Sequence, residues 1–331
     1  MRRGSRLPLA LAHSRRLDSQ VQVRPSPHIR AAALLIAVTL AIVGCGGSGS
    51  SGSSATGPAV GKPPVTFGTK NFPEEYLLGE LYAQALRAKG FKVKLKSDVG
   101  ATEIIYRALT LGTLDAYPEY TGILNTVIGG DDSRQPSAME AYRQARKVAA
   151  RSGIAMLNPT PFEDRDVLAV KPAFAQRYNV KSIPDLAKVP RKVRVAGAPE
   201  FRTRVEGFIG LQTVYGLDRI AFSPHRIGTQ YAALDNGTVD AADVFSTDGQ
   251  LNSSKYVVLK DPENVFGFQN VAPLVRQKVL DSEGPQFAAV LNAVSAKLTT
   301  PAMRRMNAAV VIRHQSPAVV ASDFLGQNKL K

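Results

Sequence analysis

Two aromatic–hydroxyl pairs stand at corresponding places in this chain, Tyr120 with Thr121 and Phe245 with Ser246. Each follows one copy of a repeated phrase. Residues 106–116 read YRALTLGTLDA and residues 231–241 read YAALDNGTVDA, seven of eleven positions matching at a constant offset of 125. An aromatic face beside a hydroxyl is suited to gripping a solute, not to carrying a reaction. The phrase also repeats an acid, Asp115 and Asp240, which would be the residue type for an acid pair. Their place just before a strand, twice over, favours a structural role. Other reactive constellations are missing. The four histidines (His13, His28, His225, His314) are dispersed, and no H-E-x-x-H or G-x-S-x-G occurs. A formal G-x-G-x-x-G at Gly44, Gly46 and Gly49 has no strand before it and no helix after it, so it does not read as a dinucleotide site. The chain is expected to be no enzyme, with no metal and no cofactor.

The repeated phrase describes the elements that must position these side chains. It reads as a helix end, a glycine C-cap (Gly112, Gly237) and a short strand. In open α/β sheets ligands bind at the carboxyl ends of strands. Two such units facing one another make a clamp; a helix–strand phrase recurring within one domain is the alternative, and the unbroken register favours the clamp. Around the repeats, Val65–Thr69 reads as a first buried strand. Pro73, with Glu74 and Glu75 behind it, opens a helix where the dipole favours acids. Ser137 and Glu140 form a capping-box pattern before a helix to about 151. Strands are expected near 91–95, 154–157, 167–170, 193–196, 256–259 and 271–275, and helices near 204–215 and 228–236. A mostly helical tail covers 285–325. Alternating strands and helices give an α/β class.

Length and composition suit two ordinary globular domains, with 44% hydrophobic and 21% charged residues. The net charge of +15 is front-loaded. The first 44 residues hold seven arginines against Asp18, leaving 35 basic and 26 acidic residues beyond them. The remaining basic residues are scattered and no recognition motif accompanies them, which excludes a nucleic-acid partner and suits an anionic membrane surface. Arg30 precedes a thirteen-residue apolar run, Ala31 to Val43, ending in Gly44-Cys45. That run is short for a membrane span, which takes roughly 20 residues, and fits a signal-peptide core. A small residue before the single cysteine resembles a bacterial lipobox, which implies cleavage before Cys45 and lipidation of its thiol. Residues 46–64, rich in Gly, Ser and Pro, read as a tether.

The stretches FGTKNFPEEYLLGELYAQAL, GATEIIYRAL, LDAYPEYTG, EFRTRVEGFIGLQTVYGL, VFSTDGQL and NVAPLVR occur in that order. Together they resemble the substrate-binding proteins of osmoprotectant ABC transporters, which handle glycine betaine, choline, carnitine and related quaternary amines. The likeness covers residues 65–331. It implies a two-lobed, type II periplasmic-binding-protein fold with two crossings between lobes. Lobe one would be 65–165 plus 270–331, and lobe two 166–269. The implied protein is an extracytoplasmic receptor, lipid-anchored at the outer face of a bacterial membrane and monomeric. It would capture a small solute and deliver it to a permease with its ATPase subunit; a sensory lipoprotein without transport is the alternative.

The family's four cage tyrosines fall on Tyr120, Asp166, Phe245 and Gln269, of which one is kept. Lys70 and Arg204 match the carboxylate-binding side. Glu75 replaces a glutamine, and Ile123 a threonine. A trimethylammonium has no N–H and is held by aromatic faces, each worth about 0.5–2 kcal/mol. With rings lost and Asp166 gained, the resemblance implies a small amine or zwitterion, with a non-methylated amine or amino-acid-like ligand as the alternative.

Overall fold

The protein is described by a computed structural model covering residues 62–331. The expected signal peptide, Cys45 and most of the tether lie outside the described residues. Among the described residues no helix is long and apolar enough to cross a membrane.

Among the described residues, ten strands form two five-stranded sheets. They are β1 (Val65–Gly68), β2 (Val93–Lys96), β3 (Ala116–Tyr120), β4 (Ile154–Met156), β5 (Asp166–Val170), β6 (Val193–Gly197), β7 (Ile220–Pro224), β8 (Ala241–Phe245), β9 (Val257–Val258) and β10 (Val271–Arg276). The first sheet has the order β2-β1-β3-β10-β4 and the second β7-β6-β8-β5-β9. The two are built alike. Three parallel strands are followed by one antiparallel strand, β10 on β3 in the first sheet and β5 on β8 in the second. Each antiparallel strand comes from the far side of the molecule. The chain leaves β4 to enter β5, and leaves β9 to enter β10. The two passages pair with each other through a Glu163–Asn270 bridge and a hydrogen bond from Asp164 N to Gln269 O at 3.0 Å.

Eleven helices of the described residues cover the sheets: α1 (Pro73–Ala88), α2 (Thr102–Leu111), α3 (Thr121–Ile123), α4 (Ala138–Ala150), α5 (Pro172–Tyr178), α6 (Phe208–Thr213), α7 (Gln230–Asp235), α8 (Gln277–Glu283), α9 (Pro285–Ser295), α10 (Thr300–Val311) and α11 (Pro317–Gln327). Short α3 runs on into a π turn, Leu124–Ile128. Leu77, Leu81, Tyr82 and Leu86 of α1 pack with Phe287 and Leu291 of α9 and Val320 and Leu325 of α11 on one face of the first sheet. Ile105 and Leu109 of α2 and Ala145 and Val148 of α4 cover its other face. Each such aliphatic side chain, fully buried, contributes about 1.5–3 kcal/mol.

The repeated phrase is one structural device used twice. Gly112 and Gly237 close α2 and follow α7 with φ of 79° and 75°, in the left-handed region that glycine reaches without strain. Thr113 and Thr238 return hydroxyls to the carbonyls of Ala108 and Ala233. Asp115 accepts the Thr66 N–H at 2.9 Å, and Asp240 the Arg194 N–H at 2.9 Å. Each acid thus ties the start of β3 or β8 to the neighbouring parallel strand.

Three local expectations are corrected. The capping box at Ser137 is half made: Ser137 accepts the Glu140 N–H, while the Glu140 carboxylate turns to Arg143. A full box occurs instead at Ser182 and Asp185. The helix expected over 204–215 is broken. A 3-10 turn at Pro199–Thr203 gives way to an extended Arg204, and α6 begins only at Phe208. Gly210 lets the segment before α6 lie against it, since a Cβ there would stand 2.1 Å from the Val205 carbonyl oxygen. Strand β7 was not expected at all; Pro224 at its end masked the alternation of Ile220 and Phe222.

Candidate functional site

The carboxyl ends of the parallel strands of both sheets converge on one cavity of about 110 Å³. Lys70, Asn71 and Phe72 follow β1. Tyr120 ends β3, and Ile123 lies in α3 behind it. Ala198, Glu200, Phe201 and Arg204 follow β6, and Asp243 and Phe245 belong to β8. Asp166 opens β5, and the two chain passages add Asp164 and Gln269. Tyr120, Asp166, Phe245, Gln269, Lys70 and Arg204 therefore line one space. Glu75 does not; it sits one layer back, fully buried, accepting the Lys70 N–H at 2.9 Å.

The aromatic part is a cluster. Phe72 lies between Tyr120 and Phe245, with centroids 6.1 Å and 6.0 Å away, and is nearly parallel to Phe245 at 9°. Phe72 stacks on Phe245 and tilts against Tyr120, which leaves no room for a cation between the rings and only their outer faces open to one. One face of Tyr120 is taken: the Lys70 ammonium stands 4.7 Å from its centroid. The same ammonium is paired with Glu119, a wholly buried acid that also accepts the Tyr117 hydroxyl and the Tyr120 N–H. Lys70, expected from the sequence to meet a ligand carboxylate, has its charge already neutralised in place.

Arg204 is differently placed. Its Nη2 reaches Glu103 of α2 at 3.2 Å, joining the two sheet units across the mouth of the cavity, while its buried Nη1 has no partner. A buried guanidinium N–H without an acceptor is costly, and it is of the type that a carboxylate can satisfy in a charge-assisted geometry. Gln269 is half used: its Oε1 accepts the N–H groups of Gly122 and Ile123, both at 3.1 Å, at the start of α3, while its buried Nε2 has no partner.

Acids outnumber free bases. Asp166 and Asp243 sit together on the face of the second sheet that looks into the cavity. Burial raises the Asp166 pKa to about 6 and that of Asp243 well above the usual carboxylate range. Behind the aromatics, Thr247 donates or accepts at 2.6 Å to both Glu74 and Asp164, and Glu74 also takes the Tyr120 hydroxyl and Asn307 Nδ2. One hydroxyl proton cannot serve two carboxylates, and burial pushes both acids up. Glu74 and Glu75 are thus network acids. The helix-dipole role expected of them requires charge, which burial opposes; the Glu75 pKa rises to about 8.

Phe72, Asp164 and Asp243 were missed from sequence. Asp243 left a signal, an acid inside the apolar strand AADVF, where local pattern and burial conflict. Asp164 was hidden in the charged run EDRD, which reads as solvated surface.

Comparison with known proteins places these residues in context. Residues 63–327 match the family described as the substrate binding domain of ABC-type glycine betaine transport system. A glycine-betaine-binding protein of Pseudomonas aeruginosa is 32% identical over 277 residues, covering 80% of this chain and 88% of the relative. The glycine betaine-binding protein YehZ of Escherichia coli is 28% identical over 282 residues, covering 82% and 92%. Among solved structures, a glycine betaine/carnitine/choline ABC transporter protein superposes with a TM-score of 0.67 at 22% identity, covering 80% of this chain and 99% of that one. That likeness fixes the fold as the two-lobed periplasmic-binding-protein type.

Proposed function

The chain belongs to the family of substrate-binding domains of ABC-type glycine betaine transport systems, and from that premise we propose that it captures a small quaternary amine or zwitterionic compatible solute, of the glycine betaine or choline kind, in the cavity between its two sheets. The observation that carries this reading is the juxtaposition, in one small space, of a partnerless guanidinium N–H on Arg204 with the faces of Phe72, Tyr120 and Phe245 and an acid, Asp166. These are the two ends of a zwitterion receptor. A carboxylate meets Arg204, and an ammonium meets rings and acid. Lys70, Gln269 and Glu75 then act as supports. Lys70 holds Tyr120 and Glu119, Gln269 holds α3, and Glu75 holds the backbone of Lys70.

In this reading the lobes are 65–165 with 270–331, and 166–269. Ligand binding favours the closed arrangement, with Arg204 and Glu103 meeting across the mouth, and the closed form docks on the permease that works with an ATPase subunit. Cleavage before Cys45 and lipidation would hold the protein, as a monomer, at the outer face of the bacterial membrane, with residues 46–64 as its tether. The site binds and releases; no residue in it is assigned a catalytic step.

The test is a thermal-shift panel of betaine, choline, carnitine, ectoine, amino acids and polyamines. A true ligand at a hundredfold excess over its Kd stabilises by about 2.7 kcal/mol. Stabilisation by a quaternary or zwitterionic amine is the expected result. A panel without any stabilising amine or zwitterion refutes it.

A further inference from the structure

Asp166 opens β5 and Asp243 stands third in β8. In their antiparallel pairing Asp166 faces Phe245 and Leu168 faces Asp243, so the two acids are diagonal neighbours on one face of the sheet. Both line the cavity. Asp243 is 1% exposed and its Oδ1 has no hydrogen-bond partner. Among the described residues neither acid forms an ion pair. The charged groups around them explain why. Arg204 acts on Asp166 but is tied to Glu103, and Lys70 across the cavity is tied to Glu119. The rest are acids: Asp164 from the crossing segment, Asp248 from the loop after β8, Glu206 from the loop before α6, and Glu200 on the lining.

Two adjacent carboxyl groups in such a setting do not both ionise; they hold one proton between them and titrate as a pair. The pair then carries one negative charge, and one buried oxygen still lacks a donor. A tetraalkylammonium supplies charge but no N–H, and leaves that oxygen unsatisfied. An ammonium with an N–H supplies both.

We propose that Asp166 and Asp243 together seat the cationic end of the solute, that this end carries at least one N–H, and that capture expels the proton the two acids share. This rests on the cavity being the solute site and specifies the solute class. The exchange balances. The empty site holds one proton and one negative charge; on binding, the ligand ammonium takes the place of the shared proton beside the two carboxylates, its N–H donating to the buried oxygen that lacked a donor, the shared proton passes to solvent, and one cation replaces another. The net charge of the site is unchanged. Affinity for such a ligand therefore rises with pH below the titration of the pair and levels off above it.

The experiment is calorimetric titration of the intact protein with glycine, sarcosine, N,N-dimethylglycine and betaine, which share a carboxylate and lose one N–H per step. Each is run in two buffers of different ionisation enthalpy, which reveals protons released. The expected result is tightest binding by a member that retains an N–H, with up to one proton released per solute and an affinity that rises up to about tenfold per pH unit on the acid side. Asp243→Asn should abolish the proton release and erase the preference among the members; Asp166→Asn should do the same. Betaine binding at least as tightly as the others, with no proton released by the wild type, overturns the proposal and leaves the receptor reading standing. If none of the four binds, the proposal also falls; the receptor reading falls with it only when the wider thermal-shift panel is empty too.

Discussion

Replacing Glu75 with glutamine should make the protein more stable at mildly alkaline pH and change little at mildly acidic pH. Glu75 is fully buried in the first turn of α1. Its Oε2 accepts the Lys70 N–H at 2.9 Å, and its Oε1 has no partner. Burial is the main cause that lifts its pKa from 4.5 to about 8; the Lys70 charge opposes the rise, while Glu119 and Glu74 add to it. A carboxyl raised in the folded state contributes stability that is fully present below the unfolded value and is lost as pH rises through the folded one. Between about pH 5.5 and 8 the folded chain holds nearly one proton that the unfolded chain has released. At 1.36 kcal/mol per pH unit, that interval removes about 3 kcal/mol. Glutamine keeps the acceptor for Lys70 N and has no proton to lose. Urea unfolding of the two proteins at both pH values should therefore show a difference under about 1 kcal/mol at the acid end, with the variant ahead by about 2–3 kcal/mol at the alkaline end. A wild-type-to-variant difference that is the same at both pH values would refute the claim that burial keeps Glu75 protonated.

Arg204→Ala should weaken the carboxylate-bearing zwitterions that bind by about 10–100-fold and amines without a carboxylate by much less, because a charged hydrogen bond is worth about 1.5–3 kcal/mol; calorimetry giving equal losses would mean that Arg204 acts only through its tie to Glu103. Asp240→Asn should cost about 1–2 kcal/mol at neutral pH without altering solute Kd, since its carboxylate holds the Arg194 N–H and the Arg191 guanidinium away from the cavity. Burial works against that charge, but the arginine hydrogen bonds hold the Asp240 pKa below the usual range, so the difference in denaturant melts should shrink as pH falls below about 4. Thr247→Val removes the hydroxyl that bridges Glu74 and Asp164. It should cost about 1–3 kcal/mol, more at alkaline than at acid pH, where two protonated carboxyls can hydrogen-bond directly; a loss independent of pH would contradict the reading that burial raises the pKa of both acids.

Local signals were legible in the sequence and long-range pairings were not. The offset repeat located α2 and α7, their glycines, the strands after them and the structural use of Asp115 and Asp240, because each of those features is set by neighbours within a few residues. Tyr120 and Phe245 followed from the same register. The partner of Lys70 was invisible, because Glu119 lies 49 residues away inside a strand that reads as apolar. So was the role of Glu75. An acid behind Pro73 has the pattern of a helix-dipole residue, and only the packing of α1 against the first sheet turns it into a buried neutral group. Arg204 reads in sequence as part of a helix over 204–215, but the helix begins only after Gly207, which leaves Arg204 in an extended segment at the cavity.

Along β3 and β8 the work of folding and the work of recognition fall on different residues of the same short strand. The acid before each strand clamps the sheet, and the aromatic at the other end, five residues on, faces the cavity. Neither acid touches the lining. Substitutions at the far ends of the strands can therefore accumulate over descent without disturbing the clamp, and a lineage can change its solute while keeping its architecture. The repeat itself shows that latitude, with Tyr120 at the end of β3 and Phe245 at the end of β8 behind the same acid.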